Sequence, residues 1–247
     1  ALEVAASLWL DEEKLLNVFQ TGEGIPWGEH HHRLFCGSES LFRPGYKTFL
    51  ANEWLDNLQG VRRKLEAGAK VADIGCGHGA STITLARAFP NSEFFGFDSH
   101  VESIEVAQRR AQDELNGHQI SFALCEAKSV PQLGFDLICF MDCLHDMGDP
   151  VGVARKAREV MANDGTLLLV EPLAQDCVSE NINPVSRLYY AASTAVCTPC
   201  SKSQEVGLAL GAQAGPHRLT KILNEAGFSR VRVATSTGFN LVMEAKL

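Results

Sequence analysis

The stretch Val71-Ala72-Asp73-Ile74-Gly75-Cys76-Gly77-His78-Gly79 carries the first residues whose types and spacing could do chemistry. A short apolar run ends in an acid and breaks into three alternate glycines. Such glycines let the chain turn tightly and let a ligand approach the backbone with no Cβ in the way. A helical pattern, Ala80 to Phe89, follows at once. The free N–H groups of a helix start point back at the same place, so the stretch reads as a nucleotide cradle. Gly75-x-Gly77-x-x-Ala80 fits the loose dinucleotide fingerprint, and Asp98 stands about where a ribose-binding acid should. Asp73 argues for another ligand. A carboxylate two residues before the first glycine is poorly placed beside a pyrophosphate and better suited to a ligand with an ammonium group and no phosphate.

Two further groups invite a chemical reading. Cys197-x-x-Cys200 has metal-ligand or redox spacing. A zinc site needs four ligands, and no second Cys-x-x-Cys or matching histidine pair is present. A redox pair belongs at a helix start after a strand, not in an irregular region. No metal is expected, and the pair reads as two lid cysteines, one of them lining a pocket. Thiol-assisted methylation of a soft element such as arsenic finds no further support. His30, His31 and His32 are consecutive and internal. They read as an exposed or packed loop, with part of a pocket roof as the functional alternative.

The elements that must position these residues follow from periodicity. Ala1 to Gln20 has helical spacing with Asp11 as a cap, and Gly22 to Gly28 breaks it. Phe49, Leu50, Trp54, Leu58, Val61 and Leu65 predict one amphipathic helix over Tyr46–Leu65, ended by Gly68. From Lys70 strand and helix alternate, as in a parallel sheet covered on both faces. The strands are Val71–Ile74, Glu93–Phe97 (ending at Asp98), Ile120–Leu124, Phe135–Phe140 and Thr166–Val170 (ending at Glu171-Pro172). The helices are Ala80–Phe89, Val101–Leu115 (stopping at Asn116-Gly117) and Asp149–Met161 (stopping at Asn163-Asp164-Gly165). Leu173–Pro216 interrupts the alternation and reads as a lid of short helices that shapes a substrate pocket. A helix Leu219–Ala226 and an antiparallel pair, Val231–Ala234 and Asn240–Lys246, close the chain.

Composition narrows the class. The chain has 247 residues, 45% hydrophobic and 21% charged, in the range of an ordinary globular protein. The net charge of −8, with no like-charge run, disfavours a phosphate-tracking nucleic-acid surface. No apolar window is long enough for a membrane span, and no signal peptide is visible. Eight scattered cysteines in a chain too large to need a disulfide framework suggest a reducing cytoplasm. The first residue is Ala1, inside a helical pattern, which suggests that a natural N-terminal part precedes it.

Val71 to Gly79 resembles the first motif of class I S-adenosylmethionine-dependent methyltransferases. Downstream signals match in order over Lys70 to Pro172. Phe97-Asp98-Ser99 resembles the second-strand end, whose acid takes the ribose hydroxyls, and Glu126-Ala127-Lys128-Ser129-Val130-Pro131 the Asp-Ala-x-x-Leu-Pro element near the adenine, with glutamate for aspartate. Phe135-Asp136-Leu137-Ile138 resembles the fourth strand, and Asn163 to Pro172 the entry to the fifth. The resemblance implies S-adenosyl-L-methionine as cofactor, held by Asp73, Gly75, Cys76, Gly77, Asp98, Ser99, Glu126, Ala127 and Met141. Asp98 would accept both ribose hydroxyl protons, the turn's N–H groups would meet the carboxylate, and Asp73 would help hold the ammonium group. The implied fold is α/β: a Rossmann-like, seven-stranded, mostly parallel sheet with a terminal antiparallel strand pair, an N-terminal helical segment (residues 1–66), and a methyltransferase domain (67–247) with its lid at about 173–216.

Asp142-Cys143-Leu144-His145-Asp146-Met147 resembles the Leu-His-Asp-Trp stretch of small-molecule O-methyltransferases, with Met147 in place of tryptophan. There the histidine is the general base and an acid after strand five orients it. By position these are His145 and Glu171, with Asp146 beside them. The alternative is that His145 caps the next helix or packs under the lid. The segments Ser203 to Gly215, Asn224 to Phe228 and Phe239 to Ala245 resemble a mycobacterial-type methyltransferase group with an N-terminal winged helix, which implies a homodimer. The expected function is methyl transfer to a small molecule, on oxygen first, then sulfur or nitrogen. No Asn/Asp-Pro-Pro-Tyr/Phe motif of base methylation follows strand four. The competing classes are a non-catalytic cofactor-binding regulator and an NAD(P)-dependent oxidoreductase, though no Tyr-x-x-x-Lys supports the latter.

Overall fold

The strand-forming runs make one sheet. In the computed structural model, which describes residues 2–115 and 119–247, β1 (Lys70–Ile74), β2 (Glu93–Asp98), β3 (Ile120–Leu124), β4 (Phe135–Met141), β5 (Met161–Pro172), β6 (Arg230–Ser236) and β7 (Asn240–Lys246) lie in the order β3-β2-β1-β4-β5-β7-β6. The first five strands are parallel, and β7 runs antiparallel to both β5 and β6. This is the expected mostly parallel, Rossmann-like sheet with its antiparallel pair. The strand order reverses between β1 and β4, and ligands of such sheets bind outside the carboxyl ends at that point.

Successive side chains of a strand face opposite ways, and each face has its own core. Val71, Leu137, Cys139, Leu168, Val170 and Val242 face one cluster, with Leu50, Trp54, Leu65, Ile83 and Leu85. Ala72, Ile74, Ile138, Phe140, Leu167, Leu169 and Met243 face the other, with Ala154, Ala157, Leu219 and Leu223. The helices are α1 (Leu2–Leu10), α2 (Glu12–Thr21), α3 (Arg33–Gly45), α4 (Val61–Ala67), α5 (Ala80–Ala88), α6 (Val101–Glu114), α7 (Pro150–Val160), α8 (Pro184–Ala192), α9 (Thr198–Lys202) and α10 (Gly215–Glu225). None is long and apolar enough among the described residues to cross a membrane.

Four sequence expectations shift. Residues 2–21 form two helices, and Asp11 makes no capping bond. Its carboxylate instead accepts from Lys14 Nζ and the His31 N–H, both at 2.8 Å, and meets His30 Nδ1 at 3.2 Å. The helix predicted over Tyr46–Leu65 begins earlier, at Arg33, and ends earlier. It passes through a π-helical stretch, Tyr46–Trp54, and a 3₁₀ turn, Leu55–Asn57, then breaks at Gly60, whose φ of 78° belongs to the left-handed region. The apolar period runs across this break because both pieces pack on the same core. Asn163-Asp164-Gly165 does not lie outside the strand. It forms an irregular start to β5, between the paired positions Met161 and Thr166. Pro216 belongs to α10, not to the lid. The stop at Asn116-Gly117, like Ala1, lies outside the described residues.

Candidate active site

β1 ends at Asp73 and Ile74, and the chain turns through Gly75, Gly77 and Gly79 with φ of 75°, 51° and 75°. The turn is held mainly by the end of β2. Gly75 and Cys76 donate N–H to Phe97 O at 2.8 and 3.1 Å, Gly77 donates to Asp98 Oδ2 at 2.8 Å, and Gly79 donates to Cys76 O at 2.9 Å. These donors are therefore not free to meet a ligand carboxylate, contrary to the expectation for the turn. What the turn offers is room: a Cβ on Gly77 would meet no atom within 4 Å.

Asp73 is fully buried. Its Oδ2 accepts from Ser81 Oγ and Thr82 Oγ1, both at 2.6 Å, so this acid also fixes the start of α5. Its Oδ1 is buried with no hydrogen-bond partner among the described residues. Burial raises its pKa, opposed by the two hydroxyls. Asp98 receives Gly77 N–H on Oδ2 and His100 N–H (2.9 Å) on Oδ1. Each carboxylate oxygen keeps a second lone pair for a hydroxyl. An orphaned buried oxygen, open space over Gly77 and two spare acceptors on Asp98 fit the ammonium and ribose of S-adenosylmethionine. Ser99, Glu126 and Ala127 stand on the same sheet edge, past β2 and β3. Ser99 and Glu126 are exposed, Ala127 is half-buried and Met141, at the end of β4, is buried.

The second half of the site lies past β4 and β5. His145, on a 3₁₀ turn (Leu144–Asp146), is 4% exposed and Glu171 2%. Glu171 Oε1 accepts the Leu144 N–H at 3.0 Å, and Oε2 takes His145 Nδ1 in a very short contact. This holds the ring with Nε2 turned to Asp146 Oδ1, 3.3 Å away. Burial alone would lower the His145 pKa, but the carboxylates of Asp146 and Glu171 outweigh it and raise it well above the ordinary histidine range. The sequence expectation put His145, Asp146 and Glu171 in one site, and the fold brings all three together.

The segment between β5 and α10 fastens onto this turn. Ser201 Oγ donates to Met147 O (3.0 Å), Gln204 Nε2 to Asp146 O (2.9 Å) and Gly211 N–H to His145 O (3.3 Å). Cys197 Sγ comes within 4.8 Å of the His145 and Asp146 ligand atoms, and burial pushes its thiol up to about 12.

Sequence reasoning missed Asp142. It sits between the two halves in the left-handed region (φ 52°), accepting from Tyr46 Oη at 2.8 Å and Asn240 Nδ2 at 2.9 Å. Burial, then the charge of Glu171, raises its pKa to about 7. A non-glycine residue there is uncommon and strained, but that strain leaves no mark in sequence. Tyr46 read only as the first residue of an amphipathic helix.

A methyltransferase-domain family model matches residues 65–227. The chain is 30% identical over 145 residues to 27-O-demethylrifamycin SV methyltransferase of Amycolatopsis mediterranei, covering 58% of this chain and 51% of that protein. It is 30% identical over 112 residues to the ubiquinone biosynthesis O-methyltransferase of Actinobacillus pleuropneumoniae, covering 40% and 44%. The chain thus spans about half the length of these curated relatives. In solved structures the same fold recurs in an O-methyltransferase family protein from Burkholderia thailandensis (TM-score 0.72, 15% identity, 99% of this chain and 71% of that one). It recurs also in human N-acetylserotonin methyltransferase in complex with S-adenosylmethionine (TM-score 0.65, 17% identity, 98% and 67%). By the span of the family match and by its sheet, the chain belongs to the class I S-adenosylmethionine-dependent methyltransferases.

Proposed function

We propose that the protein methylates a hydroxyl oxygen of a small molecule enclosed between the Leu144–Asp146 turn and the lid, with His145 as general base. The observation that carries this is the buried Glu171–His145 pair, which commits Nδ1 to the carboxylate and leaves Nε2 as the nitrogen able to take a proton. S-adenosylmethionine, when bound, supplies an electrophilic methyl group whose thioether leaving group needs no proton. The chain's own part is to position the acceptor and to receive its proton. The hydroxyl proton passes to Nε2, and the imidazolium so formed sits between the Glu171 and Asp146 carboxylates. Because those carboxylates also raise the resting pKa of His145, turnover should rise as pH increases.

Asp73, Gly75, Cys76, Gly77, Asp98, Ser99, Glu126, Ala127 and Met141 are the cofactor-side residues of this reading. It also keeps the division at 66/67, a cytoplasmic home, supported by eight unpaired cysteines, and a homodimer. Support for the homodimer comes from the exposed Trp9, Leu16 and Phe19.

Calorimetry with S-adenosylmethionine and NAD tests the cofactor, and a radiolabelled methyl donor offered with a panel of phenols, thiols and amines tests the acceptor. S-adenosylmethionine should bind, NAD should not, and label should pass to hydroxyl compounds. Tight NAD binding alone would remove the reading. Cofactor binding without transfer to any acceptor would favour a regulator.

A further inference from the structure

Asp146 Oδ1 is buried and has no hydrogen-bond partner, although His145 Nε2 is 3.3 Å away, off the direction a hydrogen bond needs. A desolvated carboxylate oxygen left this way is costly. Cys197 Sγ, from the π-helical turn Ser193–Cys197, is the third donor, and one ligand atom from each of the three residues lies within 4.8 Å of the other two. They offer nitrogen, oxygen and sulfur from two segments about fifty residues apart.

We infer that His145 Nε2, Asp146 Oδ1 and Cys197 Sγ form a binding site for a borderline-soft divalent cation of the zinc type. Ligand bonds of about 2.0–2.3 Å at tetrahedral angles place donor atoms roughly 3.3–3.6 Å apart. The nitrogen–oxygen edge already has that length, and the sulfur is farther by little more than about 1 Å at most. A mixed nitrogen, oxygen and thiolate set selects zinc-like ions over magnesium or calcium. Glu171 on Nδ1 supplies the carboxylate–histidine pairing that orients a metal-binding imidazole. The thiol, and Nε2 where it carries a proton, release their protons to solvent as the sulfur–metal and nitrogen–metal bonds form, and the two anionic ligands balance the dication. Three protein ligands leave the fourth position open. Cys200 is one turn on, but its Sγ is engaged by Gln204 Nε2 at 3.5 Å. Counting Cys-x-x-Cys pairs in sequence could not find this set, because two of its ligands follow β4.

The cation takes the lone pair a general base needs, so it inhibits methyl transfer. That consequence rests on the base role proposed above, whereas the site itself does not. The test titrates the chelator-stripped full chain with Co²⁺ and reads the visible d–d bands of a tetrahedral site and the near-ultraviolet thiolate charge-transfer band. One equivalent should produce both, and Zn²⁺ should displace it. Cys197→Ser should abolish the charge-transfer band and Asp146→Asn should weaken binding at least about tenfold. Cys36→Ser and Cys177→Ser, at exposed thiols elsewhere, should change nothing. Should either site variant fail to fold, Zn²⁺ must still protect Cys197 of the unmodified chain from alkylation, read by mass spectrometry. Absent tetrahedral bands, a charge-transfer band that survives Cys197→Ser, or absent protection each overturns the site. Full transfer activity with Co²⁺ bound would instead remove His145 as base and leave the site standing.

Discussion

At the cofactor edge, Ser81 and Thr82 reach Asp73 over 8 and 9 residues, and Gly77 reaches Asp98 over 21. At the acceptor edge, Tyr46 and Asn240 converge on Asp142 across 96 and 98 residues, and His145 meets Glu171 across 26. The first half is made by one turn whose N–H groups are held mainly by the end of β2 and which leaves space. The second is made by side chains from β4, β5, β7, the lid and the stretch after α3, and it concentrates buried charge. The cradle is therefore a largely local property of the chain, whereas the cluster of Asp142, His145 and Glu171 exists only once the sheet has closed. Substitutions should separate the halves.

The largest separation is expected at His145. His145→Ala should lower kcat by about 10²–10⁴-fold while the S-adenosylmethionine Kd moves less than about threefold. Single-turnover kinetics beside calorimetry checks both numbers. Unchanged turnover on a working acceptor would return His145 to a packing role under the lid.

Asp98→Ala should do the reverse. Hydrogen bonds to a charged group are worth about 1.5–3 kcal/mol, so the cofactor Kd should weaken by roughly 10–100-fold with kcat at saturation nearly kept. The variant also frees Gly77 and His100 N–H groups, so circular dichroism must show the fold retained. If affinity held, the ribose contact would have to be assigned elsewhere, Glu126 being the next acid along the edge.

The same contrast explains what sequence made legible. The alternation of strands and helices and the Asp73–Gly79 cradle were readable because each depends on neighbours in the chain: short apolar runs, a glycine turn, an acid at a strand end. His145 and Glu171 were readable only through the resemblance of Asp142–Met147 and of the end of the fifth strand to small-molecule O-methyltransferases. Tyr46, Asp142 and Asn240 were not, since their meeting needs the residue-46 segment and β7 folded against the end of β4. The break at Gly60 was hidden for the opposite reason. Leu58, Val61 and Leu65 are buried in the same cluster as Trp54, so the apolar period continues although the helix does not.

Asp142 gives its side of the site a pH signature that a single substitution can remove. Its folded pKa of about 7 lies above the unfolded value of about 3.9. Between these values the folded chain holds a proton the unfolded chain has lost. Stability from this group is therefore greatest below about pH 4 and falls as pH rises, by at most about 1.4 kcal/mol per unit, until about pH 7. Asp142→Asn removes the titration and keeps a residue that tolerates left-handed φ. Thermal melts at several pH values should show the variant gaining on the parent between about pH 5 and pH 7. Parallel curves would mean that Asp142 ionises as it does in the unfolded chain.

The smallest effect is expected at Tyr46, and its pH dependence matters more than its size. Tyr46→Phe removes the 2.8 Å hydroxyl donor to Asp142 Oδ2 and leaves the ring in place. While Asp142 is protonated, the lost bond is between neutral groups and costs about 0.5–1.5 kcal/mol. Above about pH 7 the same oxygen carries charge, and the loss grows toward about 1.5–3 kcal/mol. Tyr46→Phe should therefore destabilise more at pH 8 than at pH 6 and should lose that difference when combined with Asp142→Asn. A double-mutant cycle at both pH values measures it. A coupling that stays constant with pH would show that the hydroxyl serves packing alone and that the charge of Asp142 is held by Asn240.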